Sequence, residues 1–362
     1  MLNRSNLLIR LLLLIPTGIY WSIVSVRNWL YARRIFSSVE FDIPVICVGN
    51  IAVGGTGKTP HVEHILRVLN REKISTAVIS RGYKRKTKGY HAVKPEHTAL
   101  EVGDEPRQIS RKFPSVPFVV CENRVLGIQT LRNEFSATRA VVMDDGFQHR
   151  SVKPGFSIIL TDFNNPIYED YLLPLGNLRE SRSQLKRANV VVVTKCPPTV
   201  KPIDLRIASK RLGLFPYQKL YFTTFEYGSL HFVWGNNRVE GNVSSAAPVM
   251  LVAGIAKPRP FILHVKGVFQ NLTEKLFSDH YVFEDSDILE MVGFLETHSD
   301  AYIITTEKDS MRLASADSIP ELLRSRFMYI PIEVRFLNSG ENQFNKQIVE
   351  YVTANKRNGI IH

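Results

Sequence analysis

The residues best suited to chemistry lie in the run Ala52-Val53-Gly54-Gly55-Thr56-Gly57-Lys58-Thr59. Gly54, Gly55 and Gly57 lack a Cβ, so the backbone can curl until successive N–H groups converge on an anion. Lys58 adds a positive charge suited to β- and γ-phosphates, and the Thr59 hydroxyl suits a bound Mg²⁺. Val53 through Pro60 therefore reads as a loop for the phosphates of a nucleoside triphosphate. The run departs from the pattern G-x-x-x-x-G-K-[ST] only at its first position, where Ala52 stands for glycine.

Phosphoryl chemistry also needs carboxylates. The apolar stretch 140–143 ends in Asp144-Asp145, followed by Gly-Phe-Gln-His149-Arg150. An acidic residue at a strand tip near a phosphate loop is where a metal, or its water, is held. Two adjacent aspartates can face one metal centre. A second acidic pair, Asp104-Glu105, follows Gly103 and precedes Pro106. It reads either as a helix start with negative charge at the dipole or as a base that accepts a hydroxyl proton. Around Tyr83 the cations Arg81, Lys84, Arg85, Lys86 and Lys88 read as a grip on a phosphorylated substrate, a solvated charge run or a nucleic-acid patch. Arg124, Arg179 and Arg182 are further candidates for clamping phosphate, since guanidinium geometry suits bidentate contact. Thr194-Lys195-Cys196-Pro197 approaches the guanine-recognition pattern N/T-K-x-D, but proline stands where the aspartate belongs, and Thr306-Glu307-Lys308-Asp309 does not match its spacing. Guanine specificity is not supported.

These groups need elements to position them. Pro44–Val48 is a short apolar run bounded by turn formers, as in a buried parallel strand, and Val62, Ile65, Leu66 and Leu69 recur at helical spacing after Pro60. The order strand, glycine loop, helix places phosphate at a helix N-terminus. Further strands are expected at 76–80, 117–120, 140–143, 157–161 and 190–194, with helical patterns at 61–70 and 123–134 between them. The alternation predicts a mostly parallel sheet covered by helices. Residues 218–236 carry two alternating stretches about Tyr227-Gly228-Ser229 and read as a hairpin. A second βα series follows, with strands at 249–254, 301–306 and 327–332. The expected fold is α/β: a P-loop NTPase-like α/β/α domain at 36–217, a β-hairpin linker at 218–245, and a smaller α/β domain at 246–362. Residues 1–35 form a separate hydrophobic segment. The polar tail after residue 340 is assigned no role.

The chain has 362 residues, enough for two α/β domains, with 46 Lys and Arg against 34 Asp and Glu, a net charge of +12. That excess favours an anionic partner. Its three cysteines, Cys47, Cys121 and Cys196, have no CxxC spacing, which argues against a disulfide framework and a zinc cluster and fits a reducing cytosol. Residues 7–30 are apolar but interrupted by Arg10, Pro16 and Gly18, where a clean span wants about 20 uninterrupted apolar residues. Arg4, Arg10, Arg27, Arg33 and Arg34 punctuate or flank the segment. The pattern fits a helix lying in the interface of an anionic leaflet, in preference to a cleaved signal peptide, a core helix or a true span.

Eight motifs in order, VGNIAVGGTGKTP, SRGYKRKTKG, VGDEP, DDGFQHR, LPLGNLRES, AGIAKPRPF, SDHYVF and TTEKDSMRL, resemble the tetraacyldisaccharide 4′-kinase family, the lipid A kinases of Gram-negative bacteria. Small residues such as Ala52 at the first loop position are usual there. The resemblance implies ATP- and Mg²⁺-dependent phosphorylation of the 4′-hydroxyl of a tetraacyldisaccharide 1-phosphate. It implies Lys58 and Thr59 at phosphates and metal, Asp144 and Asp145 at the metal with Glu105 close by, and Asp104 as the base. His280 would partner Asp104 in a dyad that domain closure assembles, while Arg124 and Arg179 stabilise phosphate charge. It further implies the lipid A disaccharide as substrate at the cytoplasmic face of the inner membrane, peripherally anchored on anionic lipids, with no nucleic acid and no obligate protein partner. Two rivals are a membrane-bound ATPase switch of the deviant Walker type, disfavoured because Val53 replaces that class's signature lysine, and a nucleic-acid-dependent ATPase, for which no recognition module is present.

Overall fold

The computed structural model describes residues 7–235, 237–241, 243–316 and 318–358; Arg4 and the last residues of the tail lie outside the described residues. The chain folds as two compact units. One comprises the residues up to Arg81, Val116–Phe225 and those from Val334 onward; the other comprises Gly82–Ser115 and Glu226–Glu333. The division differs from the linear one expected. The segment from Gly82, which carries the basic run and Asp104, groups with the later βα series, and the chain's last helix groups with the phosphate loop.

In the first unit the strands lie in the order Ile332–Phe336, Lys219–Tyr227, Val190–Thr194, Phe156–Asp162, β1 (Val45–Gly49), Ala140–Asp144, Thr76–Ser80 and Phe118–Val120. From Lys219–Tyr227 to Phe118–Val120 every neighbouring pair is parallel. All five residues of β1 are buried, as are those of Ala140–Asp144 and Val190–Thr194. That is why these strands read as continuous apolar runs: both faces are covered. Strand β1 lies between Ala140–Asp144 and Phe156–Asp162, with Val48 in register with Asp144. The phosphate loop and the paired aspartates thus leave adjacent strands at their carboxyl ends, where open α/β sheets bind ligands.

The tail after residue 340 forms the helix Gly340–Asn358. It buries Phe344, Ile348 and Val352. Asn345 Oδ1 meets His64 Nε2 at 2.8 Å, and the Phe344 ring lies 5.9 Å from that of His64. This packing accounts for the burial of His64 on a helix whose apolar residues already face inward.

The N-terminal segment is one helix, α1 (Leu7–Ala32), of 26 residues, with Pro16 inside it. It is not a core helix: Leu8, Leu12 and Ile15 are each at least 70% exposed. At 1.5 Å per residue it extends roughly 39 Å, and by length and composition it is sufficient to cross a membrane. Its second half is held by polar contacts, with Tyr20 Oη donating to the Arg179 carbonyl at 2.9 Å and Arg27 paired to Glu180 at 2.6 Å.

The second unit has a five-stranded sheet in the order Leu272–Leu276, Val249–Ala253, Tyr302–Thr306, Phe327–Ile330, His231–Phe232, parallel except at the last strand. Val252, Ile303, Phe327 and Leu295 share one buried cluster; Leu251, Ile304, Phe261 and Val265 share another. The alternation along each strand sends side chains to these two cores in turn. The expected hairpin across 218–236 is not what forms. Lys219–Tyr227 pairs in parallel with Val190–Thr194, while His231–Phe232 pairs antiparallel with Phe327–Ile330. Each stretch finds the edge of an established sheet, which satisfies more backbone groups than an isolated two-stranded ribbon would. A shorter turn does close nearby, with Phe232 N–H donating to Asn237 at 2.9 Å and Val239 N–H to Leu230 at 2.9 Å.

Candidate active site

The phosphate loop is shaped from both sides. Ahead of it, Val53 N–H donates to the Asn177 carbonyl and Arg179 N–H to that of Ile51, each at 2.7 Å. Ala52 forms an antiparallel bridge with Leu178. Position 52 is therefore extended backbone with no need for glycine, which explains the one departure from the pattern. Gly57 is different. Its φ is +87°, and a Cβ there would lie 2.4 Å from Cζ of Phe225. It caps α2 (Lys58–Arg71), whose first turn has neither a side-chain cap nor an acidic residue. The helix end and its N–H groups are left to face an anion. Asn50 Nδ2 donates to Thr56 Oγ1 at 2.9 Å, holding the loop from beneath.

Lys58 Nζ stands 3.5 Å from Asp145 Oδ1, and Arg179 Nη1 stands 3.6 Å from Asp145 Oδ2. Asp145 has φ +48°, unusual for a residue with a Cβ, while Asp144 sits buried at the strand tip. Strained backbone of this kind collects at functional sites. Oδ1 of Asp145 is buried without a hydrogen-bond partner. Among the described residues no three His, Cys, Asp or Glu side chains gather as a self-sufficient metal site. A pair of aspartates beside a phosphate loop and Thr59 is nevertheless the donor set that suits Mg²⁺, which dehydrates reluctantly and completes its shell with phosphate oxygens and water. Arg124 is 1% exposed. Burial pushes its guanidinium down to about 10, opposed by the charges of Asp144 and Asp145. One nitrogen donates to the Cys121 carbonyl; Nε and Nη2 are buried without partners. A buried cation with idle donors is costly alone and suits an anionic ligand. His149, of the same Asp144–Arg150 stretch, is pushed down to about 4 by burial and by Arg124 and Arg81, and is neutral at pH 7.

The other candidate residues gather in the second unit. Asp104 opens the helix Asp104–Lys112 after Gly103, whose φ of +102° only glycine adopts readily. His280, itself at φ +63°, brings Nδ1 to 2.8 Å from Asp104 Oδ2. Its Nε2 lies 3.1 Å from Lys308 Nζ. An ammonium can only donate, so Nε2 accepts and Nδ1 carries the proton that it donates to Asp104. Arg312 adds a second cation 3.3 Å from the same Oδ2. Burial alone would push the Asp104 carboxyl up; the His280 hydrogen bond and the charges of Arg312 and Lys308 outweigh it and hold the group below its usual range. Arg312 is fixed in turn by Asp309 at 3.0 Å and by the Tyr281 carbonyl at 2.7 Å.

One expectation changes. Domain closure is not what joins Asp104 to His280, because both belong to one compact unit and are already hydrogen-bonded. Glu105, expected near the metal, has its carboxylate 3.2 Å from Lys308 Nζ. Tyr83 is 60% exposed, with its ring 5.5 Å from that of His280. In the basic run, Arg85 is turned inward on the Thr87 hydroxyl and Gly89 carbonyl. Arg182 donates to the carbonyls of Tyr168 and Arg211, a structural use. Lys308 and Arg312 were not among the sequence-derived candidates. Their linear signal is membership of the TTEKDSMRL motif, and nothing in it shows that one face of that helix meets Asp104.

The sequence profile of the tetraacyldisaccharide-1-P 4′-kinase family matches residues 9–353. The chain is 43% identical over 346 residues to the tetraacyldisaccharide 4′-kinase of Phocaeicola vulgatus, covering 94% of each. It is 41% identical over 348 residues to that of Porphyromonas gingivalis strain W83, covering 94% of this chain and 96% of the relative. Among solved structures, the fold is similar to LpxK from Aquifex aeolicus in complex with ATP. The TM-score is 0.77 and the identity 26%, over 95% of this chain and 99% of that one.

Proposed function

The chain belongs to the tetraacyldisaccharide-1-P 4′-kinase family, and on that premise we propose that it transfers the γ-phosphate of ATP to the 4′-hydroxyl of a tetraacyldisaccharide 1-phosphate, giving the bisphosphorylated lipid A precursor. The observation that carries the chemistry is the Asp104 carboxylate, held ionised by His280 and Arg312 at the start of a helix. Both contacts fall on Oδ2, which leaves Oδ1 to take the proton of the attacking hydroxyl. His280 orients the carboxylate through Nδ1–H, and the cations around it offset the charge that remains on the carboxylate before transfer. Tyr83, exposed beside His280, offers a face for the sugar.

On the nucleotide side, the backbone from Val53 to Pro60 wraps the phosphates, and Lys58 neutralises charge on the transferred group. Arg124 and Arg179 supply the donors that stabilise its equatorial oxygens. Thr59, Asp144 and Asp145 would hold Mg²⁺; Glu105 would join them only by exchanging its Lys308 partner. When bound, the ion supplies charge neutralisation at the β- and γ-phosphates.

A substrate with four acyl chains stays in a bilayer, since each buried CH₂ contributes about 0.8 kcal/mol. The exposed apolar surface of α1, with Arg10 and Arg27 along it and Arg33 and Arg34 just beyond its end, suits an anionic leaflet. We place the protein peripherally at the cytoplasmic face of the inner membrane, where ATP is available.

The test is transfer of labelled γ-phosphate from ATP to tetraacyldisaccharide 1-phosphate in mixed micelles. Labelled bisphosphorylated lipid is expected, with loss of product on chelation of divalent metal. ATP hydrolysis without labelled lipid from the folded protein would point to the ATPase-switch reading instead.

A further inference from the structure

Thr194-Lys195, the near-match to a guanine-recognition pattern, has no part in the reaction described above. Lys195 follows the strand Val190–Thr194 and has φ +58°. Most other non-glycine residues with left-handed backbone are explained locally: Arg34 and Lys73 follow helices, Lys84 lies in the turn after Gly82, and Asn338 and Ser339 precede the last helix. Asp145 and His280 are site residues. Among the described residues Lys195 is the remaining one, so what its strain secures is a fair question.

What it secures is the phosphate loop. Lys195 Nζ donates to the Gly55 carbonyl, and Asp162, whose side chain is 7% exposed, holds the same ammonium at 3.1 Å. Beside it, the buried Thr194 hydroxyl donates to the Thr56 carbonyl at 2.9 Å. Carbonyls at two successive loop positions are thus held by side chains from one strand end. In an anion-binding loop the N–H groups point at the ligand only while the carbonyls are turned away from it. All these residues belong to the first unit.

We propose that Lys195 is a positioning residue for the nucleotide: aimed by Asp162, it holds the Gly55 carbonyl so that the loop's N–H groups face the phosphates. The inference rests on the ATP-dependent reading of the loop. It assigns Thr194-Lys195 to the phosphates and not to the base, so purine identity does not depend on it.

The test measures KM for ATP and KM for lipid separately, with affinity for a non-hydrolysable ATP analogue, in wild type, Lys195→Met and Lys195→Arg. A charge-assisted hydrogen bond of this kind predicts an increase in ATP KM of about tenfold or more for K195M. Lipid KM should be unchanged, and K195R should recover part of the loss. A general loss of fold would lower kcat or active protein without this split. K195M with wild-type ATP KM and analogue affinity overturns the positioning role and leaves the kinase reading standing. Wild-type protein that binds no ATP analogue overturns both. Should K195M not fold, Asp162→Asn serves: it keeps the lysine but removes the charge that aims it. A rise in ATP KM of about threefold or more is expected, and an unchanged value overturns the proposal.

Discussion

Asp104 shows how a buried carboxylate is kept ionised, as the base proposed above must be. Its own burial works against ionisation, and three neighbouring cationic or hydrogen-bonding groups reverse the balance. A depressed carboxyl favours the folded state above its ordinary value of 3.8, and that contribution is lost as pH falls through the lowered value. The consequence for turnover is that no acid limb from this group falls in the physiological range. We expect Asp104→Asn to lower kcat by about 10²–10⁴-fold with ATP KM little changed. A wild-type kcat/KM profile with an acid limb near pH 6 that vanishes in this variant would contradict the assignment. Lys58 and Thr59 could be placed by spacing alone because a phosphate loop is a local object, seven or eight residues whose backbone makes the site. The Asp104–His280 pair is not local: its members lie 176 positions apart.

At the level of elements, α2 does two jobs that conflict. Its N-terminus must present bare N–H groups to phosphate, while its body is buried on several sides, including beneath the C-terminal helix. His61 is the visible cost. It is 1% exposed, with Nδ1 2.7 Å from the Gly57 carbonyl and Nε2 3.2 Å from the Thr223 hydroxyl. Burial, as the largest influence, pushes its imidazole down to about 4, and His149 is held as low. Both take up protons in the unfolded chain near pH 6.5 but not in the folded one until about pH 4. The folded state therefore loses stability as pH falls through that window, by on the order of a few kcal/mol for the two together. Thermal melting between pH 7 and pH 4.5 should show a clear fall in Tm, and a smaller fall in His61→Gln. A flat Tm across the window would mean that these rings are not held neutral.

The whole molecule joins an exposed apolar helix, which we propose meets lipid, to a sheet that carries the phosphate loop. Apolar side chains of α1 are exposed along its length, most strongly in the first half, and its polar contacts with Arg179 and Glu180 lie in the second. Replacing Leu8, Leu12 and Ile15 together by Ser should cut co-sedimentation with anionic vesicles at least about tenfold, since each buried side chain contributes roughly 1.5–3 kcal/mol. Affinity for an ATP analogue should be unchanged. Equal vesicle binding by the triple variant would remove α1 from the membrane contact. With a net charge of +12, residual binding should weaken as salt rises.

Hydrophobic runs of Val and Ile made the central strands legible, because a strand buried on both faces has no alternation to confuse it. The glycine spacing before Lys58 made the phosphate loop legible, because that geometry is written in consecutive backbone positions. The family motifs drew attention to His280, yet could not say that it already meets Asp104, since a hydrogen bond across 176 positions depends on how the chain folds back. The contacts of Lys308, Arg312 and Lys195 were hidden for the same reason: a motif can single out each cation, but its partner is the carboxylate or carbonyl that a distant strand or helix brings within reach. The polar tail was hidden differently. Phe344, Ile348 and Val352 are too few among charged neighbours to announce a core helix, and only the exposed side of α2 and the edge of the sheet give them something to cover.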